Sequence, residues 1–310
     1  MTEAASKLEL FSNCRIRRDV LSNQITTFGV GKGISLLIEP ESIDALLKVI
    51  SELDDEPLIL GNGSNLVLPD DWVFPPVIRL PKALSGPVAK DSQLFDALSG
   101  FSGEPYYAGS SLINLSRTFS QAGRKGLEFA AGIPGTLGGA IKMNAGAHGE
   151  SLSQVITGVV VADKNGKVRA IGKSELDFSY RHSCIAGDQI VLGATILLQE
   201  GDKEEIRLRR ESCLDYRSKT QPLKMPSAGS VFRNPVDPTQ SLEAAAYYLE
   251  QVGLKGYQSG GVGYSNLHSN WLVRLEDSAR AEDVSILIEL GKKRVFEKYG
   301  INLTQEILLW

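Results

Sequence analysis

The chain has 310 residues, enough for about two domains of ordinary size. Its 33 basic and 37 acidic residues give a formal charge of −4, which excludes a generally basic nucleic-acid-binding protein. With 42% hydrophobic and 23% charged residues, the composition is typical of a folded globular protein with a sizeable core and excludes a disordered chain.

Neither a membrane span nor a signal peptide is predicted. No segment approaches the roughly 20 apolar residues that a membrane helix requires. The N-terminal segment MTEAASKLELFSNCRIRRDV lacks an apolar core followed by a small-residue cleavage site. We therefore expect a cytoplasmic protein that does not insert into a membrane and does not bind nucleic acid.

The spacing of cysteine and histidine gives no sign of a metal site or a disulfide framework. These residues occur singly, without the CxxC, HxxxH or HExxH spacing of metal-binding motifs. They are Cys14, Cys184, Cys213, His148, His182 and His268. Cys184 nonetheless follows the segment YRHS closely and could line a site there.

The first predicted helix covers residues 40–53, where apolar residues recur at helical spacing. It is followed by a strand (PLIL), a polar loop at residues 61–65 (GNGSN) and a second strand (LVL). A second helix is predicted over residues 112–122, with Gly123 as its stop signal.

Glycine is over-represented, at 31 residues, and is densest at residues 126–147 (GLEFAAGIPGTLGGAIKMNAGA). Further on, Asn165-Gly166 lies between two β-rich runs and is the strongest hairpin signal in the chain. DQIVLGATILLQE predicts another strand. We interpret the charged segment GDKEEIRLRR, residues 201–210, as a connection that leads into a different unit.

The C-terminal part is predicted to mix helices and strands. It contains PSAGSVFRNP, a helix over residues 242–252 and a glycine-rich turn, SGGVGYSN. A longer helix is predicted over Ala281–Tyr299, ended by Gly300. The last ten residues, INLTQEILLW, predict a final strand.

Two glycine-rich loops are candidates for binding a phosphate-containing ligand. A backbone with few side chains can direct several N–H groups at one phosphate. Neither GVGKG nor GNGSNL has the spacing of a Walker or Rossmann motif. For GNGSN, tight turns are an equally good explanation, whereas residues 132–146 favour backbone packed against a large flat or anionic ligand.

Three side chains outside the loops are candidates for chemistry. Ser230, in AGSVFRNP, is either a proton donor or nucleophile, or a turn former, the commoner role of such a serine. Arg181, in YRHS, either binds a carboxylate or oxyanion or is a surface residue in a turn. Glu306, in LTQEI, is followed by apolar residues that predict a buried strand end, where burial of a carboxylate costs free energy unless the group is paired or functional. The alternative is that this strand lies at an edge and Glu306 is solvated.

The identity and order of these segments resemble the UDP-N-acetylenolpyruvoylglucosamine reductase family. The resemblance spans nearly the whole chain, through TTFGVGKG, GNGSNL, GLEFAAGIPGTLGGAIKMNAGA, YRHS, PSAGSVFRNP and LTQEI. It implies an α+β chain with an FAD-binding fold of the vanillyl-alcohol-oxidase type (PCMH-like). The expected parts are two α+β FAD-binding subdomains at residues 1–84 and 85–207, and a C-terminal α+β substrate-binding domain at residues 208–310.

The resemblance also implies a cofactor and a reaction. FAD would be held without a covalent link, and NADPH would supply the hydride that reduces UDP-N-acetylglucosamine enolpyruvate to UDP-N-acetylmuramate, a peptidoglycan precursor. The implied cofactor-binding residues are Gly61, Asn62, Gly63, Ser64 and Asn65 in the first loop, and Gly132, Ile133, Pro134, Gly135, Thr136, Gly139, Ala140 and Gly146 in the second.

The resemblance assigns roles to the three candidate side chains. Arg181 and Glu306 would stabilise the enolate that hydride addition produces, and Ser230 would protonate its carbon. Lys219 and Asn234 are weaker candidates for binding the substrate. Two alternatives stay open: an oxidase with the same flavin fold, and a nucleotide-binding protein without turnover.

Two departures from the family pattern concern the substrate site. The segment between Ser183 and Arg209 is too short for the extra tyrosine-bearing loop of one family class, so the chain resembles the class that lacks it. Arg274 stands where the family commonly has asparagine, which puts local details of substrate binding or structure in question.

Overall fold

The computed structural model describes residues 13–53, 55–81, 84–185, 187–237 and 241–310. The chain forms two compact units, each assembled from three separate segments. Unit 1 contains residues 13–18, Leu36–Asn62 and Pro75–Asp215, and unit 2 contains Asp19–Ser35, Gly63–Phe74 and Tyr216–Trp310. The predicted three-part division, at residues 84/85 and 207/208, stays a prediction.

The described residues form many short strands and fewer helices. Both kinds of element are numbered in chain order. The strands are β1 Cys14–Leu21, β2 Gly33–Pro40, β3 Leu58–Leu60, β4 Leu66–Val67, β5 Trp72–Val73, β6 Val77–Arg79, β7 Glu104–Tyr107, β8 Arg124–Lys125, β9 Gly146–Ala147, β10 Glu150–Ser151, β11 Ile156–Ala162, β12 Val168–Gly172, β13 Ile190–Ile196, β14 Gln199–Glu200, β15 Ser227–Ser230, β16 Gln258–Ser259, β17 Val262–Tyr264, β18 Trp271–Arg274 and β19 Leu308–Leu309. The helices are α1 Ile43–Glu52, α2 Gln93–Leu98, α3 Leu112–Gln121, α4 Leu137–Lys142, α5 Lys203–Thr220, α6 Ala245–Gln251 and α7 Ala281–Tyr299.

Helix α1 and the strands around it confirm the first predicted elements. Strand β6 pairs in parallel with both β2 and β3, and α1 lies between β2 and β3 in the chain. The helix begins after Ser42, whose Oγ accepts the N–H of Ala45 at 3.0 Å. It buries Leu46, Val49 and Ile50 because these residues share one face of the helix.

A four-stranded antiparallel sheet, in the order β12-β11-β13-β7, is the second sheet of unit 1. The predicted hairpin is confirmed: Ala162 pairs with Val168, and Gly166 in the turn has φ +75°. The strand predicted from DQIVLGATILLQE is β13, and all of its residues are buried. Helix α3 confirms the prediction for residues 112–122.

The charged segment at residues 201–210 was not predicted to be helical, but from Lys203 onward it forms the first half of helix α5. The same helix leads from unit 1, which ends at Asp215, into unit 2, which resumes at Tyr216. Charged residues surround this helix, and pairs one turn apart stabilise it, as Arg207 does with Glu204 and Glu211. Only a few residues, such as Ile206 and Cys213, are buried. A helix with so narrow an apolar stripe lacks the periodicity by which helices are predicted.

Unit 2 is built on an antiparallel sheet in the order β15-β18-β17-β16, with α6 and α7 packed against its core. Helix α7 has the predicted bounds and ends at Gly300, which has φ +68°. Helix α6 is shorter than the predicted 242–252.

The final strand was predicted too long, since only β19 is a strand; it pairs in parallel with β4. The residues before it bond instead to the chain that follows β15, because the N–H of Glu306 donates to the carbonyl of Val231 at 2.8 Å. The last ten residues therefore pair with two different segments, namely the chain that follows β15 and strand β4.

No helix among the described residues is long and apolar enough to cross a membrane. In the same part of the chain, no cluster of three or more His, Cys, Asp or Glu side chains could hold a metal ion. Residues 1–12 of the N-terminal segment inspected for a signal peptide lie outside the described residues.

Candidate functional site

The first glycine loop, residues 61–65, requires glycine at its centre. Gly63 has φ +62°, and a Cβ built there would lie 2.1 Å from the carbonyl oxygen of Ile25. The carbonyl of Gly63 accepts the N–H of Thr27 at 3.1 Å, so the segment TTFG and the loop are bonded to each other. No residue with a side chain fits here without moving the backbone.

Asn65, at the end of this loop, is bonded to the C-terminal segment of unit 2. Its Nδ2 donates to the carbonyl of Glu306 at 3.1 Å, and its own carbonyl accepts the N–H of Leu308 at 2.9 Å. Sequence reasoning placed Asn65 only among the cofactor-binding residues. The structure adds that its side chain fixes the backbone of Glu306.

The second loop lies beside Gly61 within unit 1. A Cβ on Gly61 would lie 2.9 Å from Oγ1 of Thr136, the residue that precedes α4. A cavity of about 90 Å³ opens between them. It is lined by Ile59, Leu60, Gly61, Leu80, Ala108, Thr136, Gly138, Gly139, Lys142, Gln189, Ile190 and Val191.

The cavity wall combines backbone, apolar side chains and a cation. Burial lowers the pKa of Lys142, and Asp188 opposes this shift. Its Nζ donates to the carbonyl of Gly187 at 3.3 Å. A wall of small residues and apolar side chains next to a partly desolvated ammonium fits an anionic group with a flat apolar body, as the predicted FAD is.

The end of the second loop is held in a conformation that few residues adopt. Asn144 has φ +40° and is buried. Its Nδ2 donates to the carbonyl of Ser179 at 2.8 Å, and its Oδ1 accepts the N–H of Ser153 at 3.0 Å. Sequence reasoning missed this role of Asn144, although asparagine is one of the few residues that tolerate positive φ.

Arg181 lies in a tight turn in which Ser179 and His182 bond to each other through their backbones. Arg181 has φ +55°, a strained conformation for a residue with a long side chain. Oγ of Ser183 donates to the carbonyl of Lys142 at 2.9 Å. Together with the bond from Asn144, this contact ties the turn of Arg181 to the second loop.

We expect Asn144→Asp to destabilise the protein by about 1–3 kcal/mol, because a carboxylate at this buried position cannot donate to the carbonyl of Ser179. The substitution keeps the size of the side chain and the acceptor for Ser153. The matched control is Asn114→Asp on the exposed face of α3, for which we expect a change within about 0.5 kcal/mol. Urea denaturation of the two variants measures the difference, and equal midpoints would contradict the assigned role.

Ser230 and Glu306 lie in neighbouring segments of unit 2. Ser230 ends strand β15, where a turn was predicted, and pairs with Trp271. The chains then run side by side: Phe232 faces Gln305, and the N–H of Arg233 donates to the carbonyl of Thr304 at 2.8 Å. Both Ser230 and Glu306 are half-buried.

The two weaker candidates have different surroundings. Lys219 is exposed in the last turn of α5. Oδ1 of Asn234 accepts the N–H of Ala245, the first residue of α6, at 3.1 Å. Asn234 therefore supports the start of that helix, and its predicted contact with substrate stays a prediction.

Arg274, the departure from the family pattern, has a structural contact. Its Nη1 donates to the carbonyl of Gly29 at 3.1 Å, next to the segment TTF. Its side chain therefore stabilises the loop that in turn bonds to Gly63.

The structure assembles the predicted residues in two groups. Within unit 1, Gly61 and the second loop adjoin a cavity, and the turn of Arg181 is tied to that loop. Within unit 2, Asn65, Ser230 and Glu306 are connected through backbone segments. That Arg181 acts together with Ser230 and Glu306 stays a prediction.

Comparisons with known proteins identify the family of the chain. The family model "UDP-N-acetylenolpyruvoylglucosamine reductase, C-terminal domain" matches residues 221–310, and the model "FAD binding domain" matches residues 107–172. The UDP-N-acetylenolpyruvoylglucosamine reductase of Bacillus subtilis is 37% identical over 287 residues, 91% of this chain and 89% of the relative. That of Halalkalibacterium halodurans is 37% identical over 288 residues, covering 92% and 90%.

A solved structure is also similar. The crystal structure of UDP-N-acetylenolpyruvylglucosamine reductase from Thermus caldophilus has a TM-score of 0.78 and 34% sequence identity. The match covers 96% of this chain and 99% of that one. Together with the FAD-binding model, it confirms the predicted fold class.

Proposed function

Because the chain belongs to the UDP-N-acetylenolpyruvoylglucosamine reductase family, we propose that it reduces UDP-N-acetylglucosamine enolpyruvate to UDP-N-acetylmuramate. FAD is the bound cofactor and NADPH the hydride donor. The reaction belongs to peptidoglycan precursor synthesis in the cytoplasm, on which cell-wall formation, cell shape and division depend.

The glycine loops are the residues that hold FAD in this proposal. Gly61, Thr136 and Gly139 form a part of the cavity wall with little side-chain bulk, which suits a diphosphate approached by backbone N–H groups. Lys142 adds a positive charge at the wall. The chemistry that FAD supplies when bound is transfer of a hydride from NADPH to the terminal carbon of the enolpyruvyl double bond.

Hydride addition to the terminal carbon leaves the next carbon as a carbanion that is delocalised into its carboxylate, which gives a dianionic enolate. The two negative charges on this group require donors that are already oriented in a desolvated site. Arg181 supplies a planar guanidinium, and the strained turn around it restricts where that group can point. Glu306 acts with Arg181 by donating a hydrogen bond to the enolate, for which its carboxyl group must carry a proton.

Ser230 completes the reaction by giving its hydroxyl proton to the enolate carbon next to the carboxylate. A serine hydroxyl is a weak acid, so this transfer requires a strongly basic acceptor and precise placement. The enolate carbon is such an acceptor. Lys219 and Asn234 bind the diphosphate and the carboxylate of the substrate.

One observation carries the proposal: Ser230 and Glu306 belong to segments that are bonded side by side within unit 2. The N–H of Glu306 donates to the carbonyl of Val231, the residue after Ser230, and this closeness in the chain supports a shared role for Ser230 and Glu306. A flavin oxidase has no enolate to protonate and no use for this pair.

The test is the visible spectrum of the purified, dialysed protein under anaerobic conditions. We expect a flavin spectrum that bleaches on addition of NADPH and returns on addition of UDP-N-acetylglucosamine enolpyruvate. Recovery only after oxygen is admitted would favour the oxidase. A colourless protein that FAD does not reconstitute would overturn the proposal and favour a nucleotide-binding protein without turnover.

A further inference from the structure

We propose that Asn270 is a positioning residue for proton transfer from Ser230, because its amide holds the Ser230 segment against the Glu306 segment. The inference rests on the proposed function and adds to it a residue that touches neither substrate nor cofactor. It concerns only unit 2.

Asn270 binds the chain after Ser230 at three points. Its Nδ2 donates to the carbonyl of Phe232 at 2.7 Å, and its Oδ1 accepts the N–H of the same residue at 2.9 Å. Its main-chain carbonyl accepts the N–H of Val231 at 2.9 Å. Asn270 is only 3% exposed, so water does not replace these bonds easily.

The side chain of Asn270 makes the hydrogen bonds that a neighbouring strand would otherwise make. Beyond the pair of Ser230 with Trp271, the β15–β18 ladder ends, and both polar groups of the Phe232 backbone would lie buried without partners. An asparagine amide offers one donor and one acceptor, as a backbone segment does. Asn270 therefore prolongs the ladder by one residue.

The opposite edge of the same segment bears Glu306. The N–H of Glu306 donates to the carbonyl of Val231, so residues 231–232 lie between Asn270 on one side and residues 305–306 on the other. A shift of these two residues would alter the position of Ser230 relative to Glu306. A misplacement of about 1 Å costs about 100-fold in rate when groups must be aligned.

Asn270 is itself held in place. Its N–H donates to Nδ1 of His268 at 3.2 Å, and the N–H of Trp271 donates to the carbonyl of His268 at 3.1 Å. The side-chain amide of Asn270 therefore extends from a turn whose backbone is held by hydrogen bonds to His268.

The experiment compares the two half-reactions in Asn270→Asp by anaerobic stopped-flow absorbance. Aspartate has the same shape and keeps the acceptor for Phe232, but it cannot donate to the carbonyl. We expect reduction of the flavin by NADPH at the wild-type rate, and reoxidation by the enolpyruvyl substrate about 10–100-fold slower. The solvent deuterium isotope effect on reoxidation should rise, since proton transfer becomes more rate-limiting.

Two further variants separate positioning from general stability. Ser269→Ala is the matched control, because Ser269 is 1% exposed and bonds to Glu250 rather than to the Ser230 segment. We expect wild-type rates in both of its half-reactions. If Asn270→Asp does not retain flavin, Asn270→Ser is judged by the same criteria.

The inference is overturned if both half-reactions of the variant match the wild type, if both slow together, or if Ser269→Ala slows reoxidation equally. Loss of flavin in both Asn270 variants would also overturn it, since the role would then be structural. A wild-type protein that does not reduce the substrate would refute the proposed function itself, and the two failures are thereby distinguished.

Discussion

Replacement of Ser230 by alanine is expected to lower turnover about 10²–10⁴-fold, the usual contribution of a positioned general acid. The protein should remain yellow, because no flavin contact is assigned to this hydroxyl. Flavin reduction by NADPH should proceed at the wild-type rate, and only reoxidation by substrate should slow. Steady-state turnover and single-turnover reoxidation measure the two effects.

The control for this substitution is Ser278→Ala. Ser278 is exposed and its Oγ donates to Glu276, so its loss should leave both half-reactions unchanged. If Ser230→Ala turned over at the wild-type rate, Ser230 would not be the proton donor. If it failed to accept electrons from NADPH, the substitution would have damaged the cofactor site instead.

Gly63→Ala is expected to destabilise the protein by about 2–5 kcal/mol. The left-handed backbone costs an L-residue about 1–2 kcal/mol, and forcing a Cβ against the carbonyl of Ile25 costs about 1–3 kcal/mol more. Because the loop must move to relieve the contact, FAD affinity should fall as well. Thermal unfolding and FAD titration measure both effects.

Gly253→Ala separates the two costs. Gly253 has a similar φ, +73°, but a Cβ built on it meets no atom of the described residues within 4 Å apart from its chain neighbours. We expect only the conformational cost of about 1–2 kcal/mol and unchanged FAD affinity. Equal destabilisation of the two variants would show that the contact with Ile25 is relieved without cost.

Local patterns explain why several elements could be predicted. Helices α1 and α7 have an apolar face, and α7 also ends at a glycine with positive φ. The hairpin around Gly166 carries its signal in two adjacent residues. Helix α5 was missed because its stability comes from ion pairs rather than from an apolar stripe.

The contacts that organise the site connect residues far apart in the sequence, and for that reason they could not be predicted. Asn270 binds Phe232 across 38 residues, and Asn65 binds Glu306 across 241. In the sequence, an asparagine whose side chain bonds to a distant backbone segment cannot be distinguished from any other polar residue. The motifs gave candidate residues for the chemistry but not the residues that hold those candidates in place.

The long-range pairing of β4 with β19 has a consequence for the order of folding. During synthesis, residues 64–67 leave the ribosome more than 200 residues before Leu308 and Leu309, with which they pair. Such distant contacts form late, because a long stretch of chain must first be ordered to bring the ends together. Strand β4, which follows the loop at residues 61–65, therefore gains its pairing partner only late in synthesis, when Leu308 and Leu309 have been added.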